Sequence, residues 1–192
     1  MIFFISLLIA IITHELGHLF VAKICHCRVY VFSLGFGKPI LWSKKIGKTK
    51  FQITPWILGG FCELDGETDV SNNKYAFINL PVRKKVFIAL AGIIINLLLG
   101  LLAISIGLIM PNYIFLYFGL LSFWLGLFNA IPILPCLDGG YAIIYPLILK
   151  IYGKQKGINI FAKISKISFK IIMVLNILSI PILIWYLTKG YL

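Results

Sequence analysis

Apolar runs long enough to cross a lipid bilayer dominate this chain. A helix that spans a bilayer needs about 20 mostly apolar residues, and residues 1–22, 86–110 and 170–188 each provide such a run. The 192 residues are 60% hydrophobic and only 12% charged, whereas about a quarter of a soluble domain is charged. Because so little polar surface is available, the sequence predicts an all-α integral membrane protein.

A fourth apolar tract, residues 113–149, is too long for one crossing and is interrupted by proline and glycine. We interpret it as a helix over 113–131, a stretch of broken backbone, and a short helix over 138–149. Irregular backbone at membrane depth is tolerated only where protein or a water-filled cavity covers it. The sequence therefore predicts about four transmembrane helices with a broken third segment, a small cytoplasmic loop that contains β-structure, and a site near residues 132–140.

The basic residues are concentrated in two connections. Of the 18 Lys and Arg, 11 lie in the loop over 23–85 and six between residues 150 and 170. By the positive-inside rule, loops 23–85 and 150–169 are cytoplasmic and both termini lie outside. The net charge of +12 thus indicates topology and contact with anionic lipid headgroups, not nucleic acid. We expect one membrane-embedded domain over 1–192. The sequence does not indicate its oligomeric state. The composition favours a bacterial plasma membrane.

Two acidic residues, Glu15 and Asp138, lie within apolar tracts. A charged side chain at the centre of a membrane helix costs about 2.5–3.5 kcal/mol on insertion scales. His14 and His18 flank Glu15, and their i, i+4 spacing places both imidazoles on one helix face. This H-E-x-x-H pattern is typical of zinc sites in which the glutamate acts as general base. A hydrogen-bonded core histidine is the ordinary alternative, but it does not explain the whole pattern.

A catalytic zinc ion takes three protein ligands and keeps one position for water. Asp138 is the candidate third ligand, because the predicted topology puts it at the same cytoplasmic depth as the two histidines. Its alternative role is the N-cap of the helix that begins near Gly139. Gly17 leaves a gap beside the histidine pair for a neighbouring backbone or a substrate.

The combination of HELGH (14–18) and NAIPILPCLDGG (129–140) resembles the site-2 proteases, the intramembrane zinc metalloproteases of peptidase family M50. The glycine-punctuated loop over 32–67 and the helix start over 82–96 are similar to the same family. The resemblance covers most of residues 1–149. No stretch is long enough for an inserted PDZ domain or a CBS domain, so we expect a minimal member.

The resemblance implies one Zn²⁺ held by His14, His18 and Asp138, with Glu15 as catalytic base. It also implies that Asn129 holds the substrate or the developing oxyanion. The chain departs from the family pattern in three ways: the segment from Asn129 to Asp138 is one residue longer, Ile93 replaces a proline, and Tyr141 replaces an arginine.

The expected function is zinc-dependent intramembrane proteolysis of a membrane-spanning or membrane-anchored protein, with zinc-activated water and Glu15 as general base. The alternating segment KTKFQIT (48–54) is a candidate strand for pairing with an extended substrate, or an ordinary loop hairpin. The alternative function is a membrane metal transporter or a metal-binding scaffold without proteolytic activity.

Overall fold

Five helices and a four-stranded sheet make up the part of the protein that the computed structural model describes, residues 2–67 and 69–189. Helices dominate, as expected. The β-structure expected in the loop after the first helix is a four-stranded sheet, which is more than the all-α class implies. In chain order the elements are α1 (Ile2–Ile24), β1 (Val29–Phe36), β2 (Trp42–Ile46), β3 (Thr49–Ile53), β4 (Trp56–Leu64), a 3₁₀ turn (Phe77–Asn79), α2 (Val82–Ile109), α3 (Tyr113–Asn129), α4 (Asp138–Tyr152) and α5 (Lys154–Lys189).

Small side chains let α2 pack closely against both α1 and α3. On α2, Gly92, Gly100 and Gly107 are buried along one side of the helix. A Cβ atom at Gly100 would lie 2.8 Å from the backbone nitrogen of Phe123 on α3. Apolar helices in a bilayer gain little from hydrophobic exclusion, so their association depends on such close van der Waals packing. The three helices therefore form a tight scaffold for side chains on α1.

The sheet has the strand order β2-β3-β1-β4. β1 pairs in parallel with β3 and antiparallel with β4, while β2 pairs antiparallel with β3. The strand predicted over 48–54 is β3, but it lies inside the sheet with both edges already paired. It is therefore not available to a substrate, and that hypothesis was wrong. The described edge strands are β2 and β4, and β4 packs against α1.

The segment predicted as a loop over 150–169 is helical, which corrects the sequence interpretation. α4 continues to Tyr152, and α5 begins two residues later at Lys154. The lysines that suggested a loop do not interrupt a helix, because Ile158 and Phe161 on the opposite face are buried in the core. Such a helix, apolar on one face and basic on the other, is stable at a boundary between protein and solvent.

Two of the described helices, α1 and α2, are long and apolar enough to cross a bilayer. α3 is a shorter apolar helix, and α4 is separated from it by irregular backbone at 130–137, as predicted for the broken segment. The fourth expected crossing, 170–188, is helical in α5. Most of its side chains lie outside the described part of the chain, so the count of four crossings stays a prediction.

Candidate metal centre

α1 and α4 bring the three predicted metal ligands together. The Nε2 atoms of His14 and His18 are 3.3 Å apart. The Oδ2 atom of Asp138 lies 2.8 Å from His14 Nε2 and 3.1 Å from His18 Nε2. Asp138 is the first residue of α4, and the N-cap is Leu137. The capping alternative is therefore wrong, since the Asp138 carboxylate faces the histidines of α1.

These distances suit a tetrahedral ion. Zinc binds histidine nitrogen at about 2.0–2.1 Å and carboxylate oxygen at about 2.0–2.2 Å, so tetrahedral ligand atoms lie about 3.3 Å from each other. The three observed separations are close to that value, and all three ligand atoms lie within 4.8 Å of one another. Two nitrogens and one carboxylate oxygen also match the donor set of catalytic zinc. The donor types and their separations therefore fit a zinc ion.

The imidazole of His18 is oriented by a backbone carbonyl. Its Nδ1 lies 2.8 Å from the carbonyl oxygen of Ile88 on α2, which can only accept a hydrogen bond. Nδ1 therefore carries the proton and donates a hydrogen bond to the Ile88 carbonyl oxygen. The Nε2 atom is left with a lone pair that points at the metal position, the usual arrangement around a metal-binding histidine.

The imidazole of His14 is oriented by Asn96, a fully buried amide on α2. The Nδ2 atom of Asn96 lies 3.2 Å from His14 Nδ1, and Thr13 Oγ1 lies 3.4 Å from Asn96 Oδ1. Metal binding through His14 Nε2 requires a proton on Nδ1. A 180° rotation of the amide then lets Asn96 Oδ1 accept from His14, while Asn96 Nδ2 donates to Thr13.

Asn96 was not identified as a site residue from the sequence. The available signal was a single amide inside the apolar run of α2, because such a polar group needs a partner at membrane depth. Without the fold, nothing in the sequence tells which residue that partner is.

Glycine residues make room for the imidazoles. A Cβ atom at Gly92 would lie 2.5 Å from His18 Nε2 and 2.7 Å from His14 Nε2. A Cβ atom at Gly17 would lie 2.9 Å from the Ala91 carbonyl oxygen. The gap predicted beside the histidine pair is therefore filled by the α2 backbone. Any side chain at Gly92 would occupy the space of the metal ligands.

Glu15 is buried on the side of α1 that packs against the edge strand β4. It lines the same cavity as His18 and Asp138, on the helix turn that carries both histidines. A Cβ atom at Gly60 of β4 would lie 2.7 Å from Glu15 Cγ. The absence of a side chain at Gly60 thus lets the Glu15 carboxyl group sit against the strand. This role of Gly60 was not visible in the sequence.

The broken segment over 130–137 turns back onto the first turn of α4. A Cβ atom at Gly139 would collide with the carbonyl group of Ala130, and one at Gly140 with the carbonyl group of Leu134. The two glycines therefore permit the backbone crossing that sets the position of Asp138. This agrees with the close backbone approach expected at these glycines.

Asn129 lies at the end of α3 and is partly buried. Its Nδ2 donates a hydrogen bond to the Leu125 carbonyl oxygen of the same helix, at 3.0 Å. It does not line the cavity that holds Glu15. Its role toward a substrate stays a prediction.

The cavity beside the metal centre has a volume of about 560 Å³. It contains one carboxylate that the sequence interpretation left unassigned, Glu67, together with Tyr141 of α4. Burial raises the pKa of Glu67 to about 7, although the hydrogen bond donated by the Leu64 backbone nitrogen at 3.1 Å opposes this. Glu67 follows the sheet in a turn that looks like ordinary loop sequence. Only the fold reveals that it faces the cavity.

Much of the chain is similar to known proteins. The profile described as peptidase family M50 matches residues 2–115. The zinc metalloprotease Rip1 of Mycolicibacterium smegmatis is 34% identical over 112 residues, which cover 54% of this chain and 27% of that protein. Rip1 of Mycobacterium tuberculosis is 33% identical over 108 residues, 54% of this chain and 26% of its own. The chain thus spans about a quarter of the length of these relatives.

A solved structure covers more of the chain. The site-2 protease from Methanocaldococcus jannaschii superposes with a TM-score of 0.60 at 25% sequence identity. The match covers 95% of this chain and 70% of that protein. The fold is therefore site-2-protease-like, with mostly helical content and a sheet.

Proposed function

The chain belongs to peptidase family M50, and from this premise we propose that it is a zinc-dependent intramembrane endopeptidase. Its substrate would be a membrane-spanning or membrane-anchored protein. One Zn²⁺ would be held by His14, His18 and Asp138. The names of the similar proteins, zinc metalloprotease and site-2 protease, support this proposal.

One observation carries the proposal. Three side chains separated by up to 124 residues in sequence place two imidazole nitrogens and one carboxylate oxygen at tetrahedral spacing. A second carboxylate, that of Glu15, lines the cavity beside them. A purely structural metal site is closed by four protein ligands, whereas a catalytic site keeps a position for water. Three ligands next to a cavity correspond to the catalytic arrangement.

Each residue has a defined task in peptide hydrolysis. Bound zinc would supply Lewis acidity, which lowers the pKa of water to about 7 and polarises a substrate carbonyl group. Glu15 would accept the proton of the attacking water and donate it to the departing amine nitrogen. The Ile88 carbonyl and Asn96 would fix the ligand imidazoles. Asn129 would stabilise the developing oxyanion only after releasing the Leu125 carbonyl oxygen.

The extended substrate would add to β4. This strand is an edge of the described sheet, it packs against α1, and its Gly60 touches the side chain of Glu15. An edge strand presents unpaired backbone groups that can bind another extended chain. A peptide paired with β4 would be held in extended form beside Glu15. This placement replaces the hypothesis that β3 binds the substrate.

We also propose the membrane arrangement that the charge distribution supports. The protein would be multi-pass, with the segments 23–85 and 150–169 in the cytoplasm, both termini outside and the active site toward the cytoplasmic side. Its basic segments would contact anionic lipid headgroups. The described residues would act as one membrane-embedded unit, in a bacterial plasma membrane.

Replacement of Glu15 by glutamine tests the proposed function. In liposomes, the zinc-loaded wild-type protein should cleave a fluorogenic membrane peptide, and Glu15→Gln should cleave it at least about 10²-fold more slowly because the proton acceptor is lost. Zinc should remain bound at one ion per chain, since Glu15 is not a ligand. Asp69→Asn, at an exposed position outside the sheet, is the matched control and should retain activity. Equal cleavage by Glu15→Gln and wild type would remove Glu15 from the mechanism.

A further inference from the structure

The cavity of the metal centre contains a carboxylate with too few partners. Glu67 follows β4 and lines the cavity together with Glu15, His18 and Asp138. Its Oε2 accepts a hydrogen bond from the Leu64 backbone nitrogen, and the Tyr141 hydroxyl is the other polar group beside the carboxylate. A carboxylate offers about four acceptor positions. Among the described residues, no lysine, arginine or histidine forms an ion pair with Glu67.

The surroundings of Glu67 are otherwise apolar or aromatic. Phe77, Tyr141 and Phe161 line the same cavity, and the ring of Tyr141 lies 5.8 Å from that of Phe77 and 5.0 Å from that of Phe161. The Tyr141 hydroxyl is buried and has the Glu67 carboxylate as its hydrogen-bonding neighbour, but the contact is too loose for a well-formed hydrogen bond. A carboxylate and a hydroxyl joined only by this loose contact thus lie side by side within an aromatic wall.

Such a setting suits a cationic side chain. A carboxylate in an apolar cavity loses hydration, and a cation that enters restores its interactions through a charge-assisted hydrogen bond. Aromatic faces add cation–π attraction, which strengthens when the cation is desolvated. The cation of the protein that lines this cavity, Lys166 on α5, has an exposed side chain and is not paired with Glu67. Glu67 therefore borders the cavity without a cationic partner among the described residues.

We propose that Glu67 is a specificity-determining residue that binds a lysine or arginine side chain of the substrate, near the bond that is cleaved. This inference rests on the proposed proteolytic function and names a feature of its substrates. Tyr141 is the positioning residue, because its hydroxyl can donate to the Glu67 carboxylate once the cation draws it into the ionised form. The long aliphatic stem of lysine or arginine would lie along the aromatic wall.

Peptide cleavage tests the proposal directly. A series of membrane peptides carries lysine or norleucine, in turn, at each of the positions flanking the cleaved bond. At one position wild type should prefer lysine by about 10- to 100-fold in kcat/KM, because a site built for a polar partner rejects an analogue that lacks it. The preference should appear in KM, since the ion pair forms already in the bound substrate. Equal cleavage at every position would overturn the proposal.

Three variants identify the residue responsible. Glu67→Gln keeps the shape and removes the charge, so the lysine preference should disappear. Tyr141→Phe should reduce the preference without abolishing it. Asp69→Asn removes a carboxylate two residues away, at an exposed position outside the sheet, and should leave the preference unchanged. A full lysine preference in folded, zinc-loaded Glu67→Gln would overturn the assignment to Glu67.

Binding without turnover separates this proposal from the proteolytic one. In the Glu15→Gln background, fluorescence anisotropy in lipid nanodiscs measures the affinity of the lysine and norleucine peptides. The lysine peptide should bind about tenfold or more tightly than the norleucine peptide, and the Glu15→Gln/Glu67→Gln double variant should lose this difference. That result supports the subsite even if wild type cleaves neither peptide. Cleavage of both peptides with equal binding would retain the proteolytic function and reject the subsite.

Discussion

Gly92 of α2 faces His14 of α1 so closely that a Cβ atom at Gly92 would lie 2.7 Å from His14 Nε2. The same atom would lie 2.5 Å from His18 Nε2. The bare backbone of α2 therefore forms one wall of the metal centre. Both ligand nitrogens depend on the missing side chain at this position.

Gly92→Ala should displace the imidazoles and weaken zinc binding by at least about tenfold, because a ligand geometry disturbed at this scale loses affinity. Gly100→Ala is the matched control on the same helix, since its Cβ atom would press on the backbone of Phe123 and not on a ligand. Gly100→Ala should lower the melting temperature and retain zinc. The measurement is competitive zinc titration with a chelating dye, and unchanged affinity in Gly92→Ala would contradict the geometry.

Substitutions at Asn96 test the hydrogen bond that orients His14. Asn96→Leu removes the acceptor for the His14 Nδ1 proton and should lower zinc affinity by about 10- to 100-fold. Asn96→Asp keeps an acceptor oxygen at the same place and should bind zinc nearly as well as wild type. Zinc titration of both variants decides the point. Equal loss in Asn96→Asp and Asn96→Leu would show that the amide does not accept from His14.

Gly60→Ala tests the contact between β4 and Glu15. The added methyl group would lie 2.7 Å from Glu15 Cγ and should push the carboxyl group away from its place. Displacement by about 1 Å costs on the order of 10²-fold in rate. Cleavage of a membrane peptide should fall accordingly, while zinc content stays at one ion per chain. Loss of zinc together with activity would mean that Gly60 supports the ligands and not Glu15.

The sequence specified the chemistry of the site better than the architecture around it. His14, Glu15 and His18 share one helix, so helical periodicity alone placed them, and the cost of an acid in an apolar run pointed to Asp138. Asn96, Gly92 and Gly60 act through contacts between distant segments, which no local pattern encodes.

The errors in the fold have a similar cause. The lysines between Lys154 and Lys170 suggested a loop because charge marks solvent, but charge on one face does not prevent a helix. The alternation in 48–54 correctly indicated a strand, yet strand order depends on long-range pairing with β1 and β2. A local pattern therefore could not tell an interior strand from an edge strand.

Glu67 predicts a pH dependence of stability. Its pKa rises from 4.5 to about 7 on folding because of burial. Between these two pKa values the unfolded chain releases a proton that the folded protein retains. The contribution of Glu67 to the free energy of unfolding therefore falls as the pH rises from 4.5 to about 7, and it is constant at higher pH. The melting temperature of Glu67→Gln minus that of wild type should therefore be larger at pH 8 than at pH 4.5.

Each kcal/mol of that difference corresponds to about 2–4 °C for a chain of this size. Thermal unfolding in detergent at both pH values measures it, with Glu63→Gln as the control that should track wild type. A gain for Glu67→Gln that is the same at both pH values would contradict the pKa shift.

The central claim is that His14, His18 and Asp138 hold one zinc ion in an open catalytic site. X-ray absorption spectroscopy at the zinc edge of the purified protein, with metal content measured in parallel, tests it most directly. The account predicts one zinc per chain, two imidazole ligands and oxygen ligands at about 2.0–2.2 Å, with loss of the metal in Asp138→Asn. Sulfur ligands at about 2.3 Å, or full zinc occupancy in Asp138→Asn, would contradict it.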